Sequence, residues 1–370
     1  MYVLGIETSC DETAASIVEN GKRTLSNVVS SSLKEHKKYG GVVPEIASRM
    51  QLESIGVVVD CAIKEAKIKL KNIDLVSVTC GPGLAGSLLV GISFAKSISL
   101  GLGVPLLGVN HLHSHIYANF LMVQKNIKHF PIPLRKSLKV VCEGDFLDGD
   151  APGFPFVALI VSGGHTTLFY VKDFDNIDIL GATCDDACGE AFDKVAKILG
   201  LGYPGGPLIE RLARYGNPKK LKFSCSNTKE PLGFSFSGIK TAVLYYVKKH
   251  ALAPALPVAS FPPLAVAGRH SQFVRDIAAS FQEAVIDTLI KKSLLACKLK
   301  KSNRLVIGGG VAANSRLRER FYSEAEKEGL NIYFPHPKLC MDNAAMVAGF
   351  GYQLFKKGYR SDLGLNIDLN

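Results

Sequence analysis

Two stretches decide the fold: Tyr2–Val18, YVLGIETSCDETAASIV, and Phe156–Val171, FVALIVSGGHTTLFYV. Each reads as strand, polar turn and strand. In the first, Tyr2–Ile6 is an apolar run, ETSCDET is a polar turn carrying Asp11 and Glu12, and Ala14–Val18 is the returning strand. In the second, the strand Phe156–Ser162 turns at Gly163, Gly164 and His165, returns as Thr167–Val171, and is followed by a third strand at Ile177–Leu180. The segments further along correspond as well. Leu75–Thr79 leads through GPGLAGS into helical Leu88–Leu100 and the strand Leu106–Val109. Leu305–Ile307 leads through GGGVAAN into helical Ser315–Glu328 and the strand Asn331–Phe334. One order of elements used twice predicts a duplicated α/β domain, its halves facing each other across a cleft. A glycine-bearing turn on each wall suits a nucleotide.

Bulk properties set the frame for this reading. At 370 residues the chain exceeds one small core, and 47% hydrophobic against 21% charged residues excludes a disordered chain. The start, MYVLGIETSCDET, lacks the basic region of a signal peptide, and no apolar run is expected to be long enough to span a bilayer. The nine cysteines form no CxxC pair, and Cys184 and Cys188 have no matching partner pair, so reduced thiols in a cytoplasm are expected. The net charge of +11, clustered at Lys34–Lys38, Lys64–Lys71, Arg211–Lys222, Lys291–Arg304 and Arg316–Arg320, suits a polyanion such as RNA. Met122–Gly153 and the Ala- and Pro-rich Ala251–Gly268 interrupt the duplicated pattern and read as surface insertions.

The densest chemistry lies in HLHSH, His111–His115. Asn110 is a good N-cap, so the two outer histidines project from one helical face, as two ligands of one metal must. The same spacing occurs on ordinary helices, so a third ligand decides the matter. Leu112 stands where HExxH carries its glutamate, which disfavours a zincin protease. Asp342, in PKLCMDNAAMVAG, sits at a loop-to-helix junction where it could ligate or simply cap the helix, and Cys340 is a rival. Two imidazoles and a carboxylate leave positions open for substrate, the pattern of a catalytic site.

GPGLAG matches GxGxxG but lacks the ribose-binding acid between Lys96 and Val109, so it reads as a tight strand–helix turn. SGGHT, Ser162–Thr166, and GGGVAAN, Gly308–Asn314, are better backbone cradles for an anion. Between them, DDACGEAFDKVAKILGLGYPGGPLIE carries Glu190, Asp193, Lys194, Gly205, Gly206 and Glu210; its acids suit ribose hydroxyls or the exposed face of an amphipathic helix.

IETSCDET, GGVVPEIASR, GPGLAGSLLVG, GVNHLHSH, VSGGHT, CGEAFDKVAK, YPGGP, FSFSGIKTA, GGGVAANSRLR and MDNAAMVA follow in that order from Gly5 to Ala348. With these ten motifs the chain resembles the TsaD-type tRNA threonylcarbamoyladenosine transferases, formerly called glycoproteases. The resemblance implies an actin-like fold of the sugar-kinase and heat-shock ATPase kind. It places a first lobe at 1–121, rejoined by 342–370, an insertion or linker at 122–153 and a second lobe at 154–341. It implies transfer of threonylcarbamoyl from threonylcarbamoyl-AMP to the exocyclic amine of the adenosine 3′ of the anticodon, releasing AMP, in tRNAs reading codons that begin with adenine. By resemblance, His111, His115 and Asp342 hold one divalent metal, Fe(2+) ahead of Zn(2+). Ile160, Val161, Ser162, Gly163, Gly164, Asp193, Gly206, Glu210 and Asn314 would line the donor site. Asp11, on the hairpin turn, would accept the amine's proton. The implied partners are tRNA, a TsaB-type paralogue, a TsaE-type ATPase and the adenylate-forming synthase, in the cytoplasm and without a membrane. Three departures stand out. Where the family pattern reads SRxH this chain reads SRMQ, with Gln51 in the last place; His113 replaces a frequent glutamate; and the tail stops at DLGLNIDLN.

Overall fold

A computed structural model describes residues 1–122, 151–251 and 272–368. The two interrupting stretches, Met122–Gly153 and Ala251–Gly268, lie almost wholly outside the described residues. The first half runs β1 (Tyr2–Glu7), β2 (Glu12–Glu19), β3 (Arg23–Ser31), the short α1 (Leu33–His36), α2 (Pro44–Glu65), β4 (Leu75–Gly81), α3 (Ala85–Leu102), β5 (Leu106–Asn110) and α4 (His111–Tyr117). The second runs β6 (Phe156–Val161), β7 (Thr166–Asp173), β8 (Asn176–Ala182), α5 (Cys188–Ile198), α6 (Gly205–Ala213), α7 (Ser237–Ala251), α8 (Gln272–Lys300), β9 (Arg304–Gly308), α9 (Ser315–Glu328), β10 (Asn331–Tyr333) and α10 (Ala344–Lys356).

The duplication is written in the hydrogen bonding. One sheet has the order β3-β2-β1-β4-β5 and the other β8-β7-β6-β9-β10. In each, the opening hairpin pairs antiparallel, because a tight turn allows nothing else. The helical crossovers α3 and α9 then return the chain parallel, pairing β4 with β5 and β9 with β10. The central strands β1, β4, β6 and β9 are buried along almost their whole length, since layers cover both faces of each sheet.

On the first sheet, α2 and α3 bury Ile55, Val58, Val59, Ile92 and Ala95 against Leu4, Ile6, Ile17, Val76 and Val78. Each such Val, Leu or Ile side chain contributes about 1.5–3 kcal/mol when fully removed from water. α10 covers the opposite face at very short range. A Cβ on Gly5 would meet the Ala344 carbonyl at 2.2 Å, so only glycine admits this approach. Ser77 Oγ donates to the Val347 carbonyl at 3.0 Å and fixes the helix there. α4 goes the other way, reaching β6 and β9 of the second sheet. Between the sheets, Tyr117, Phe156, Phe169 and Phe350 join one core. Each half therefore sends the helix after its last strand across to its counterpart.

One expectation fails here. α3 is, by length and composition alone, apolar enough to cross a bilayer. Its buried face, Ser87, Leu88, Gly91, Ile92, Ala95 and Ser99, instead packs into the first lobe. Its outer face joins α2 in an open apolar groove lined by Leu52, Ile55, Leu89, Val90 and Phe94.

Candidate active site and metal centre

The two crossing helices bring the site together. Asn110 ends β5 and caps α4, its Oδ1 accepting from Leu112 N at 2.9 Å and His113 N at 3.1 Å. The helix thus starts at His111, and both His111 and His115 are buried on one side of it. Asn343, not Asp342, caps α10 by accepting from Met346 N at 3.1 Å. Its Nδ2 also donates to the Leu339 and Met341 carbonyls. Asp342 is therefore freed from capping. Its Oδ1 lies 3.0 Å from His115 Nε2 and 3.6 Å from His111 Nε2. The three ligand atoms lie within 4.8 Å of one another, forming a candidate metal triad. The rival Cys340 is buried elsewhere, 3.2 Å from Arg318 Nη2.

The surroundings fit a cation. His111 Nδ1 sits 3.1 Å from Glu7 Oε2 and 3.1 Å from Ser9 Oγ, which turns Nε2 toward Asp342. Glu7 in turn accepts from Thr79 Oγ1 and Ser9 N, each at 2.6 Å. A carboxylate behind a ligating imidazole fixes its tautomer and strengthens it as a ligand. The buried carboxylate of Glu7 and the partly buried one of Asp342, with two neutral imidazoles, would balance a divalent ion. In the metal-free chain, burial pulls His111 down, but the charges of Glu7 and then Asp342 overcome it and raise its pKa to about 9. Burial likewise works against ionised Asp342, yet His111 and His115 hold it well below the usual carboxylate range. His115 is lowered, chiefly by burial. His165 lies nearby, its ring centroid 6.4 Å from that of His111, and burial followed by the two histidine charges brings it down to about 4.

The other predicted residues take roles the sequence did not always foresee. The SGG turn closes on itself, Ser162 N donating to the His165 carbonyl at 2.8 Å and His165 N to Ser162 Oγ at 3.1 Å. Gly163 and Gly164 are exposed, with open space where a Cβ would stand. Ile160 and Val161 are fully buried in core clusters, so they can offer a ligand only backbone. Asp193 Oδ1 accepts from Gly205 N at 2.6 Å, at the start of α6. Burial raises its pKa. Gly206 faces open space. Glu210 Oε1 accepts from Ser315 N at 3.0 Å and Arg214 Nη2 at 3.1 Å. Asn314 caps α9 through Leu317 N at 2.9 Å and donates to Gln282 Oε1 at 2.9 Å. Asp193, Glu210 and Asn314 each hold a helix start in place, a structural duty beside any contact with a ligand.

Asp11 is 9% exposed on the first hairpin turn. The turn lies within electrostatic reach of Asp193 and Tyr203, and Glu12 also feels Asp342. Sequence reasoning missed Glu7, Ser9, Thr79, Glu12, Tyr203 and His165 as members of this group. Glu12 and His165 stood in turns already singled out, and Glu7 left a signal as an acid closing the apolar strand YVLGIE. Glu12 is raised well above the usual carboxylate range by burial, by the Asp342 and Asp11 charges and by its hydrogen bond with Asp11.

Comparison with known proteins agrees on the family. The sequence matches the family described as "TsaD: tRNA N6-adenosine threonylcarbamoyltransferase" over residues 23–137 and 136–349. Proteins bearing the name tRNA N6-adenosine threonylcarbamoyltransferase share 47% identity over 367 residues in Dictyoglomus turgidum, covering 99% of this chain and 97% of the relative. The relative from Thermosipho melanesiensis shares 49% over 361 residues, covering 96% and 95%. Among solved structures, HypF of T. kodakarensis superposes with a TM-score of 0.57 at 15% identity, covering 98% of this chain and 48% of its own. Component A of the (R)-2-hydroxyglutaryl-CoA dehydratase of Acidaminococcus fermentans does so at 0.51 and 16%, covering 96% and 98%. At such identities these two likenesses speak for the actin-like fold alone. By its match along the chain and its near-full-length relatives, the protein belongs to the TsaD family of tRNA N6-adenosine threonylcarbamoyltransferases.

Proposed function

We propose that the transfer takes place in the cleft between the two sheets, with threonylcarbamoyl-AMP as donor and a divalent ion, Fe(2+) ahead of Zn(2+), held by His111, His115 and Asp342. The observation that carries this reading is the convergence of the triad from both halves of the chain within reach of the SGG turn. The lobes in this reading are 1–121 with 342–370, and 154–341, a division supported by the packing of α10 on β1. When bound, the ion would orient the threonylcarbamoyl group and polarise its carbonyl.

The remaining steps belong to the chain. Gly163 and Gly164 receive the phosphate, since the open space where a Cβ would stand leaves room for an anion to approach their amides, and Ile160, Val161 and Ser162 line the donor site beside them. Asp193, Gly206, Glu210 and Asn314 lie along the nucleoside end, where the acids exchange a helix partner for a ribose hydroxyl. The exocyclic amine of the tRNA adenosine attacks the carbamoyl carbon; a C–N bond forms, the C–O bond to phosphate breaks, and AMP leaves with the electron pair. Asp11 takes the proton released by the amine, and its neighbour Glu12 keeps its own proton to hydrogen-bond it. Holding two bound substrates in line supplies much of the rate. The basic surface suits tRNA. The donor synthase, a TsaB-type paralogue and a TsaE-type ATPase complete the system, in the cytoplasm and away from membranes.

The test is reconstitution of the full chain with those partners, unmodified tRNA and donor, read by mass spectrometry of the digested nucleosides. Threonylcarbamoyladenosine that depends on an intact His115 is the expected product. Its absence from a folded, metal-loaded mixture overturns the assignment.

A further inference from the structure

The turn that carries Asp11 is held from behind. Gln51 is buried on the inner face of α2, at 1% exposure. Its single Nε2 donates to the Cys10 carbonyl at 2.9 Å and to the Glu12 carbonyl at 2.9 Å. These two acceptors flank Asp11, and an amide nitrogen has two hydrogens to give. The Asp11 carbonyl between them is taken by Ser32, from Oγ at 2.7 Å and N at 3.2 Å. The Ser9 carbonyl receives Leu84 N at 2.7 Å, from the start of α3. Four successive carbonyls are thus pinned, leaving Asp11 little freedom except in its side chain.

Stability alone does not account for Gln51. Its Oε1 is buried without a hydrogen-bond partner, and an orphaned buried acceptor is destabilising. A neutral histidine at this place would carry only one N–H and so could not bridge both carbonyls.

We propose that Gln51 is a positioning residue for the transfer, setting the Asp11–Glu12 turn by bridging the carbonyls on either side of Asp11. The proposal rests on the functional reading above, in which this turn serves the reacting amine.

Three variants test it in the reconstituted reaction. Gln51→Met keeps the length and removes both donors; Gln51→Glu keeps the shape but turns acceptor oxygens on two carbonyls; Gln51→His retains one donor. At a temperature where all remain folded, Gln51→Met should lower kcat roughly ten- to a hundredfold, with the donor KM within about twofold and metal content unchanged. Gln51→His should fall between it and the parent. Gln51→Glu should recover as the pH drops from about 8 to about 6, because a protonated carboxyl regains one donor, whereas Gln51→Met should not. Hydrogen exchange should quicken in residues 8–13 and not elsewhere. A kcat for Gln51→Met within twofold of the parent overturns the proposal, as does exchange that rises uniformly along the chain. Should Gln51→Met not fold, the pH response of Gln51→Glu against Gln51→His decides alone. Failure of the parent itself to make the modified nucleoside is a different result, and it strikes the functional reading.

Discussion

Removing the charge of Glu7 should change how metal binding depends on pH. A metal needs the neutral imidazole of His111. In the metal-free chain that imidazole keeps its proton up to a pKa of about 9, because the Glu7 and Asp342 charges outweigh burial. Below that value each ion bound displaces one proton from His111, so the apparent affinity should climb about tenfold per pH unit and level off above about pH 9. From pH 7 to pH 9 this amounts to about a hundredfold, or about 2.7 kcal/mol. His115, lowered by burial, adds no such slope at neutral pH. Glu7→Gln removes the largest upward influence on His111, so its proton is lost at lower pH and the slope shifts to acid. The same change deletes the carboxylate at 3.1 Å that orients the ring, a loss of roughly ten- to a hundredfold in intrinsic affinity. Near pH 7 the two effects oppose, and the variant should bind almost as well as the parent. Near pH 9 only the loss remains, and the curves should separate by the full ten- to a hundredfold. Chelator competition with the purified full chain from about pH 6 to 9.5 measures both curves. Parallel curves over that range would refute the reasoning, since they would show that Glu7 does not govern the His111 proton.

The glycines of the cleft divide by what surrounds them. Gly163→Ala meets nothing within 4 Å and should leave Tm unchanged while raising the donor KM, whereas Gly189→Ala would drive a Cβ to 2.7 Å from the Ser162 carbonyl and should lower Tm. Thermal melts beside donor titrations check the pair. Asn314→Ala should cost about 1–2 kcal/mol of stability through the lost α9 cap, apart from any effect on the donor, as urea unfolding would show. Asp11→Ala should bind the donor normally but transfer more slowly, and full activity in a single-turnover assay would remove Asp11 from the proton path.

Local features of this protein were legible in its sequence, and remote ones were not. The hairpins, glycine turns and crossover helices appeared as period and punctuation, and α9 begins and ends where the pattern placed it, at Ser315 and Glu328. β3 and α2 went unassigned. α2 has proline at its first turn and no side-chain cap, and its buried stripe, Ala47, Gln51, Ile55, Val58, Val59 and Ala62, includes a polar residue that blurs the apolar face. Asp342 left the choice between ligand and cap open; Asn343 takes the cap, and Asp342 stands in the candidate triad. The acids read as ribose ligands, Asp193 and Glu210, show how little an exposed-looking carboxylate reveals of its partners, for both hold helix starts.

The sequence by itself determined the duplicated order of elements and the pairing of His111 with His115 on one helical face. Each depends on residues within a few positions of one another, where backbone geometry alone dictates what can meet. Only the tertiary structure decided which residues join them. Asp342 stands 227 positions from His115, and Glu7 stands 104 from His111. No period or spacing links such pairs. They meet because β5 and β10 occupy equivalent places in two like sheets, and the helices that follow them cross between the halves and pack against one another.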